Sequence, residues 1–211
     1  MARKADTFFT HKEKERIQAT ARGVESRSIG EVAVMVVDSS DRYFEAEVMG
    51  GMLLGSLLSL WITASYFHSS VWWYVPLSFI LFLPSRVLFR KVPALKAAFI
   101  GLRRKEHAVR LRALRAFYEK GLYKTKKNTG VLFFISLMER KVRILADSGI
   151  HEKIGQETLD KFAGHVSRGI REGRGCDALC ESIQEAGDLL ARYFPVTRDD
   201  TDELCNDVMT E

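Results

Sequence analysis

Residues 48–89 read VMGGMLLGSLLSLWITASYFHSSVWWYVPLSFILFLPSRVLF. From Val48 to Phe67 there is no charged residue, over roughly 20 positions, the length a helix needs to cross a hydrocarbon core of about 30 Å. From Val71 to Phe89 the only charge is Arg86, and only His68, Ser69 and Ser70 separate the two runs. A helix that crosses and then meets three polar residues must turn and come back, so the stretch reads as a two-helix transmembrane hairpin. Two other readings compete with it. One is a pair of helices buried in a soluble core, uncommon for helices apolar on every face. The other is a hairpin that dips into the bilayer without crossing, because Pro76 and Pro84 interrupt the second run.

The flanks orient the hairpin. Its tip carries no Lys or Arg but a set of rings, Trp61, Tyr66, Trp72, Trp73 and Tyr74, which favour the headgroup level. The other end carries Arg86, Arg90 and Lys91, followed by Lys96, Arg103, Arg104 and Lys105. These eight rings and cations, from Trp61 to Lys91, are the expected membrane-interface residues. The positive-inside rule places the basic end, and with it both termini, in the cytoplasm. The expected location is a bacterial inner membrane, with the lipid bilayer as first partner and Arg86 snorkelling to the interface. Gly51, Gly55, Ser59 and Thr63 recur every four residues. Small residues at this spacing let helices approach closely. Packing of the two arms is their first use; a homo-oligomer or membrane-protein contact through Gly51, Gly55 and Ser59 is the second.

The whole chain has 211 residues, 32 Lys and Arg against 27 Asp and Glu, and a formal charge of +5. The opening MARKADTFFTHKEKER has charge but no apolar run behind it, so the hairpin itself is expected to direct insertion. Three cysteines, Cys176, Cys180 and Cys205, form no paired framework and fit a reducing compartment. From Arg86 to Lys127 the only acids are Glu106 and Glu119, whereas the stretch after Pro195 carries six acids against Arg198. Such a basic segment suits nucleic acid in some proteins. Beside a membrane span it reads instead as a topology signal and an attraction for anionic lipid, so nucleic acid is not an expected partner.

The elements outside the hairpin are short and alternate in type. Thr10 with Glu13 has capping-box spacing ahead of Ile17, Ala21 and Val24 on one helix face. EVAVMVV (Glu31 to Val37) is an apolar, β-branched run that suits a strand buried on both faces. A helix is expected over Leu95 to Tyr118, with Ala108, Leu111, Leu114 and Phe117 as its apolar stripe and Gly121 as its stop. GVLFFISLM (Gly130 to Met138) and KVRILA (Lys141 to Ala146) read as a strand pair. One helix is expected to carry Ile150, Ile154, Phe162, Val166 and Ile170, and a last one Leu179, Ile183, Ala186 and Leu190. The expected fold is a small α/β/α sandwich interrupted by the hairpin. The expected divisions are 1–47 (first helix and strand), 48–89 (hairpin), 90–194 (remainder of the sandwich) and 195–211 (acidic tail).

Two passages carry a family resemblance: IGEVAVMVVDSSD (Ile29 to Asp41) and RAFYEKGLYKTKKNTGVLFFISLMERKVRILADSGI (Arg115 to Ile150). With the closing helices they resemble the TPM domain, named for thylakoid-lumen, photosystem and receptor-modulator proteins. The resemblance implies a compact α/β/α domain. It also implies one of two roles: calcium binding with acid phosphatase activity, as in some members, or an accessory role at a membrane, as in others. Many relatives pair a signal peptide with one anchor after the domain. Here the hairpin falls between the first strand and the second helix.

Asp38 and Asp41 follow the first strand and Asp147 ends the third. Were those strands parallel neighbours, three carboxylates would gather at their carboxyl ends, a set suited to calcium or magnesium. The plainer reading is that these aspartates cap helices and shape turns. A phosphatase also needs a nucleophile or activated water and charge on the phosphoryl group. No Walker loop, Gly-x-Ser-x-Gly elbow or His-Glu-x-x-His is present. GIREGRG (Gly169 to Gly175) lacks the Lys-Ser/Thr ending and reads as a helix–helix turn. Cys176 and Cys180 share a helix face as small core residues rather than a zinc pair, and the five histidines are scattered. The expected function is a membrane-anchored accessory or interaction module on the cytoplasmic face; the alternative is a metal-dependent phosphatase using the strand-end aspartates.

Overall fold

The computed structural model describes residues 4–66, 71–125, 128–196 and 208–210. Phe67 and His68 to Ser70 at the hairpin tip, the acids between Asp199 and Asp207, Glu211 and Cys205 lie outside the described residues. The chain divides into two units, Met1–Ser40 with Glu106–Glu211, and Asp41–Lys105.

The first unit is built on β1 (Glu31–Val37) and β2 (Gly130–Ser136), in which every residue is buried. They pair in parallel from Glu31 opposite Gly130 to Val37 opposite Ser136. Parallel neighbours need a crossover, and α6 (Leu102–Glu119) supplies the helix for it. β3 (Lys141–Ala146) returns antiparallel beside β2, and β4 (Met209–Thr210) joins β1 on the other side in the order β3-β2-β1-β4.

Alternation along the strands makes two cores. Val32, Val34, Val36, Val131, Phe133 and Ile135 share one with residues of α2 (His11–Glu25), α8 (Gln156–Arg171) and α9 (Gly175–Tyr193). Ala33, Met35, Val37, Leu132 and Phe134 share the other with Val109, Ala113, Ala116 and Phe117 of α6. The result is the α/β/α sandwich expected from the sequence.

Local signals hold in several places. Thr10 caps α2 in a complete capping box, its N–H donating to Glu13 Oε2 at 2.8 Å, and a short α1 (Lys4–Phe8) precedes it. Gly121 stops the chain after α6 with φ +75°. At Gly130 a Cβ would sit 2.3 Å from the Leu122 carbonyl oxygen, so β2 can begin only on glycine.

Three expectations need correction. The helix placed at Leu95 to Tyr118 is two, α5 (Pro93–Ala98) and α6, parted at residues 99–101. Its stripe holds only at Ala108 and Phe117, which are buried: Leu111 and Leu114 are 51 % and 43 % exposed, and the small residues Ala113 and Ala116 are buried in their place. Alanines let the helix lie close to the sheet, and that contact outweighs the larger burial leucines offer. The helix expected to run from Ile150 to Ile170 breaks at Gly155 (φ +74°) into α7 (Ser148–Ile154) and α8.

The second unit is an antiparallel helix pair, α3 (Phe44–Tyr66) and α4 (Val71–Lys91), with α5. A Cβ on Gly51 would lie 3.0 Å from Arg86 Cα, and one on Gly55 3.0 Å from the Phe82 nitrogen. The small-residue face is thus filled by α4 of the same chain, and Ser59 Oγ donates to the Tyr74 carbonyl at 2.8 Å. Pro76 and Pro84 lie inside α4 without ending it. At the base of the pair, Lys96 Nζ meets Glu47 Oε1 at 2.6 Å, both side chains largely buried.

Candidate functional site

In open α/β sheets ligands settle outside the carboxyl ends of the strands. Here the ladder continues past both strand ends, with Leu137 N–H donating to the Val37 carbonyl and Met138 N–H to that of Asp38. Beside it Glu139 is buried. Its Oε1 accepts from the Ser40 N–H at 2.9 Å and from Ser39 Oγ at 3.4 Å, and its Oε2 accepts from Ser136 Oγ at 2.5 Å. Ser40 Oγ in turn donates to Ser136 Oγ at 2.8 Å. A buried carboxylate is costly unless its oxygens find donors; here three donors supply them, two from the Asp38–Ser40 loop and one from the end of β2. The arrangement clasps the Asp38–Ser40 loop to the β2–β3 turn.

Asp38 and Asp147 do not meet. β3 is antiparallel to β2 and separated from β1 by it, so Asp147 lies at the opposite end of the sheet from Asp38, its N–H donating to the Gly130 carbonyl. The premise of parallel first and third strands fails because a short turn at Glu139–Arg140 can join only antiparallel strands. Asp147 instead caps α7, accepting from Ser148 N–H, and Asp38 accepts from the Ala5 N–H at 2.6 Å. In the second unit, Asp41 Oδ2 pairs with Arg104 Nη2 at 2.5 Å. Arg104 also reaches Glu45 Oε1 at 3.0 Å and stacks 5.2 Å from the Tyr43 ring centre. Burial pushes the Asp41 carboxyl up, but Arg104 and the Arg42 N–H together hold it below its ordinary value. Among the described residues no cluster of three or more His, Cys, Asp or Glu suits a metal. Asp38 and Asp147, at opposite ends of the sheet, are therefore not placed to share one calcium or magnesium ion.

Of the expected interface residues, Trp61 and Tyr66 end α3 while Trp72, Trp73 and Tyr74 begin α4, so the rings share one end of the pair. Trp72 is 89 % exposed; Tyr74 Oη shares a 2.6 Å hydrogen bond with Ser56 Oγ. Arg90 and Lys91 close α4, and Arg86 lies 4.8 Å from the Phe44 ring centre. Cys176 and Cys180 are buried, and burial beside Cys180 pushes the Cys176 thiol up to about 12, as a core residue requires.

Residues 101–189 match the family model of the TPM domain. That segment is a TPM domain. The fold is shared over 97 % of this chain with the NMR structure of the BA42 protein from the psychrophilic bacterium Bizionia argentinensis, at 20 % identity and a TM-score of 0.60, covering 96 % of that protein. A comparison with curated proteins finds no match. The matched TPM segment holds Ser136, Glu139 and Asp147, while Asp38, Ser39 and Ser40 come from the loop that follows β1. Glu139 was not among the residues expected to matter. A polar Ser136 closing an otherwise apolar strand, with an acid three residues on, was the available signal.

Proposed function

We propose that the chain is a membrane-anchored TPM-domain module, held by α3 and α4 in a bacterial inner membrane and presenting its α/β domain on the cytoplasmic face as an accessory or interaction unit. The observation that carries this reading is the exterior of the helix pair. Only 28 % of the apolar window of α3 and 6 % of that of α4 is buried. Leu53, Leu57, Leu60, Phe79, Ile80 and Leu83 all point outward. A core helix pair would bury such side chains; a bilayer solvates them without cost. Rings at one end and Arg90 and Lys91 at the other fit the two interfaces of a span.

The test is external labelling of the full chain in cells by a membrane-impermeant maleimide, in a Cys205→Ser background. A cysteine replacing Ser69 is expected to label in intact cells, and one replacing Lys124 only after permeabilisation. The protein is also expected to stay in the membrane through alkaline carbonate washing. Release by that wash, or labelling at 124 in intact cells, overturns the anchored reading or its orientation respectively.

A further inference from the structure

Within the α/β unit, a pocket of about 440 Å³ opens between the β2–β3 turn, the end of α8 and α1. That volume lies in the range of small-ligand sites. Its floor is apolar: Phe8, Ile135, Leu137, Val142 and Ile170. Its rim is cationic: Arg140, Lys141 and Arg171. Among the described residues no carboxylate pairs with any of the three; Arg171 Nε donates only to the Ser167 carbonyl, at 3.3 Å. Elsewhere on the chain exposed arginines do find acids, Arg16 with Asp177 and Arg27 with Asp188. The turn itself holds Arg140 at φ +52°, a left-handed conformation that a non-glycine residue seldom adopts.

We propose that this pocket binds a medium-chain fatty-acid carboxylate, its acyl chain on the apolar floor and its head on Arg140, Lys141 and Arg171. Cations gathered without counter-charge repel one another, and an anionic head relieves that repulsion while arginine offers a planar fork for a carboxylate. Burial of the chain supplies the rest of the affinity, in proportion to apolar area removed from water. An inorganic anion would leave the floor empty, and an uncharged chain would leave the rim unpaired, so the two features together select an amphiphile. The inference uses the TPM domain alone and stands whether or not α3 and α4 enter a bilayer.

The test is photo-crosslinking of the full chain in lipid nanodiscs with a diazirine-bearing decanoate, followed by proteolysis and mass spectrometry. Label is expected on peptides containing residues 135–142 or 167–171, and excess decanoate should displace it while decanol and inorganic phosphate should not. The Arg140→Gln/Arg171→Gln variant is expected to lose roughly tenfold of that label, with an unchanged thermal midpoint; label entering α3 and α4 from the bilayer is the internal standard. Should the double variant fold poorly, Lys141→Gln alone is expected to give a smaller loss in the same peptides. Label on the pocket peptides that no variant reduces, or that decanol displaces equally, overturns the proposal. Displacement by phosphate alone would overturn the acyl part and leave an anion site.

Discussion

β1 and α3 are both apolar runs, and they treat their side chains in opposite ways. Every residue of β1 is buried, whereas in α3 the buried positions include Gly51, Gly55, Ser59 and Thr63 and the leucines face outward. In the sandwich the largest apolar side chains are inside because water drives them there. In the helix pair the smallest side chains are inside because close backbone approach is what holds the arms together. Apolarity alone does not say where a residue will sit.

Substitutions on the two sides can break that contrast. The largest effect is expected for Phe133→Ala, which empties part of a fully buried site and should cost about 3–5 kcal/mol. Leu57→Ala on the outer face of α3, where the side chain is exposed, should stay within about 0.5 kcal/mol. Denaturant unfolding in a fixed detergent measures both, and equal losses would mean that α3 is packed like a core.

Gly55→Leu reverses the size rule inside the pair. A Cβ there already lies 3.0 Å from the Phe82 nitrogen, so the larger side chain must splay the helices and should cost about 1–3 kcal/mol. Thermal unfolding reports the loss, and distance measurements between labels on α3 and α4 report the splaying. Stability unchanged at that position would argue that the arms do not meet there.

Glu139→Ala probes polar burial in the sandwich. It strands the Ser40 N–H and removes the acceptor of the Ser136 hydroxyl, which keeps Ser40 Oγ, for an expected loss of about 1–3 kcal/mol. Hydrogen exchange at Ser40 should quicken in parallel; an exchange rate unchanged from the wild type would show that the loop does not depend on the clasp.

The smallest effect is a pH dependence at Asp41. Its folded carboxyl lies below the ordinary 3.8 through Arg104 and the Arg42 N–H. The stabilisation is therefore complete above that value and lost as pH falls through the lowered one. Unfolding curves of wild type and Asp41→Asn should accordingly converge on acidification below about pH 4; a gap that widens there would reverse the sign of the coupling.

Much of this was legible in the residues. The capping box at Thr10 and Glu13, the strands at Glu31–Val37 and Lys141–Ala146, and the glycine stop at Gly121 are local, and local chemistry chose them. The stripe on α6 was misread at its middle, where periodicity favoured Leu111 and Leu114 while the sheet packs against Val109, Ala113 and Ala116. Asp147 was misplaced for a similar reason. Its position after a strand is a sequence fact, but the end of the sheet it occupies depends on strand direction. The Arg140–Lys141–Arg171 rim could not be seen at all, since it joins a turn to the end of a helix 30 positions later.

By itself the sequence determined where most helices and strands fall, that two long uncharged runs stand apart from the rest, and that the remainder resembles a TPM-type sandwich. Propensity, capping and hydrophobic period act over a few residues, and those are readable in order along a chain. Only the tertiary structure decided strand order, which end of the sheet each aspartate reaches, the donors around Glu139 and the pocket between β3 and α8. Those depend on contacts between residues far apart in the chain, where direction and register, not composition, set what meets what.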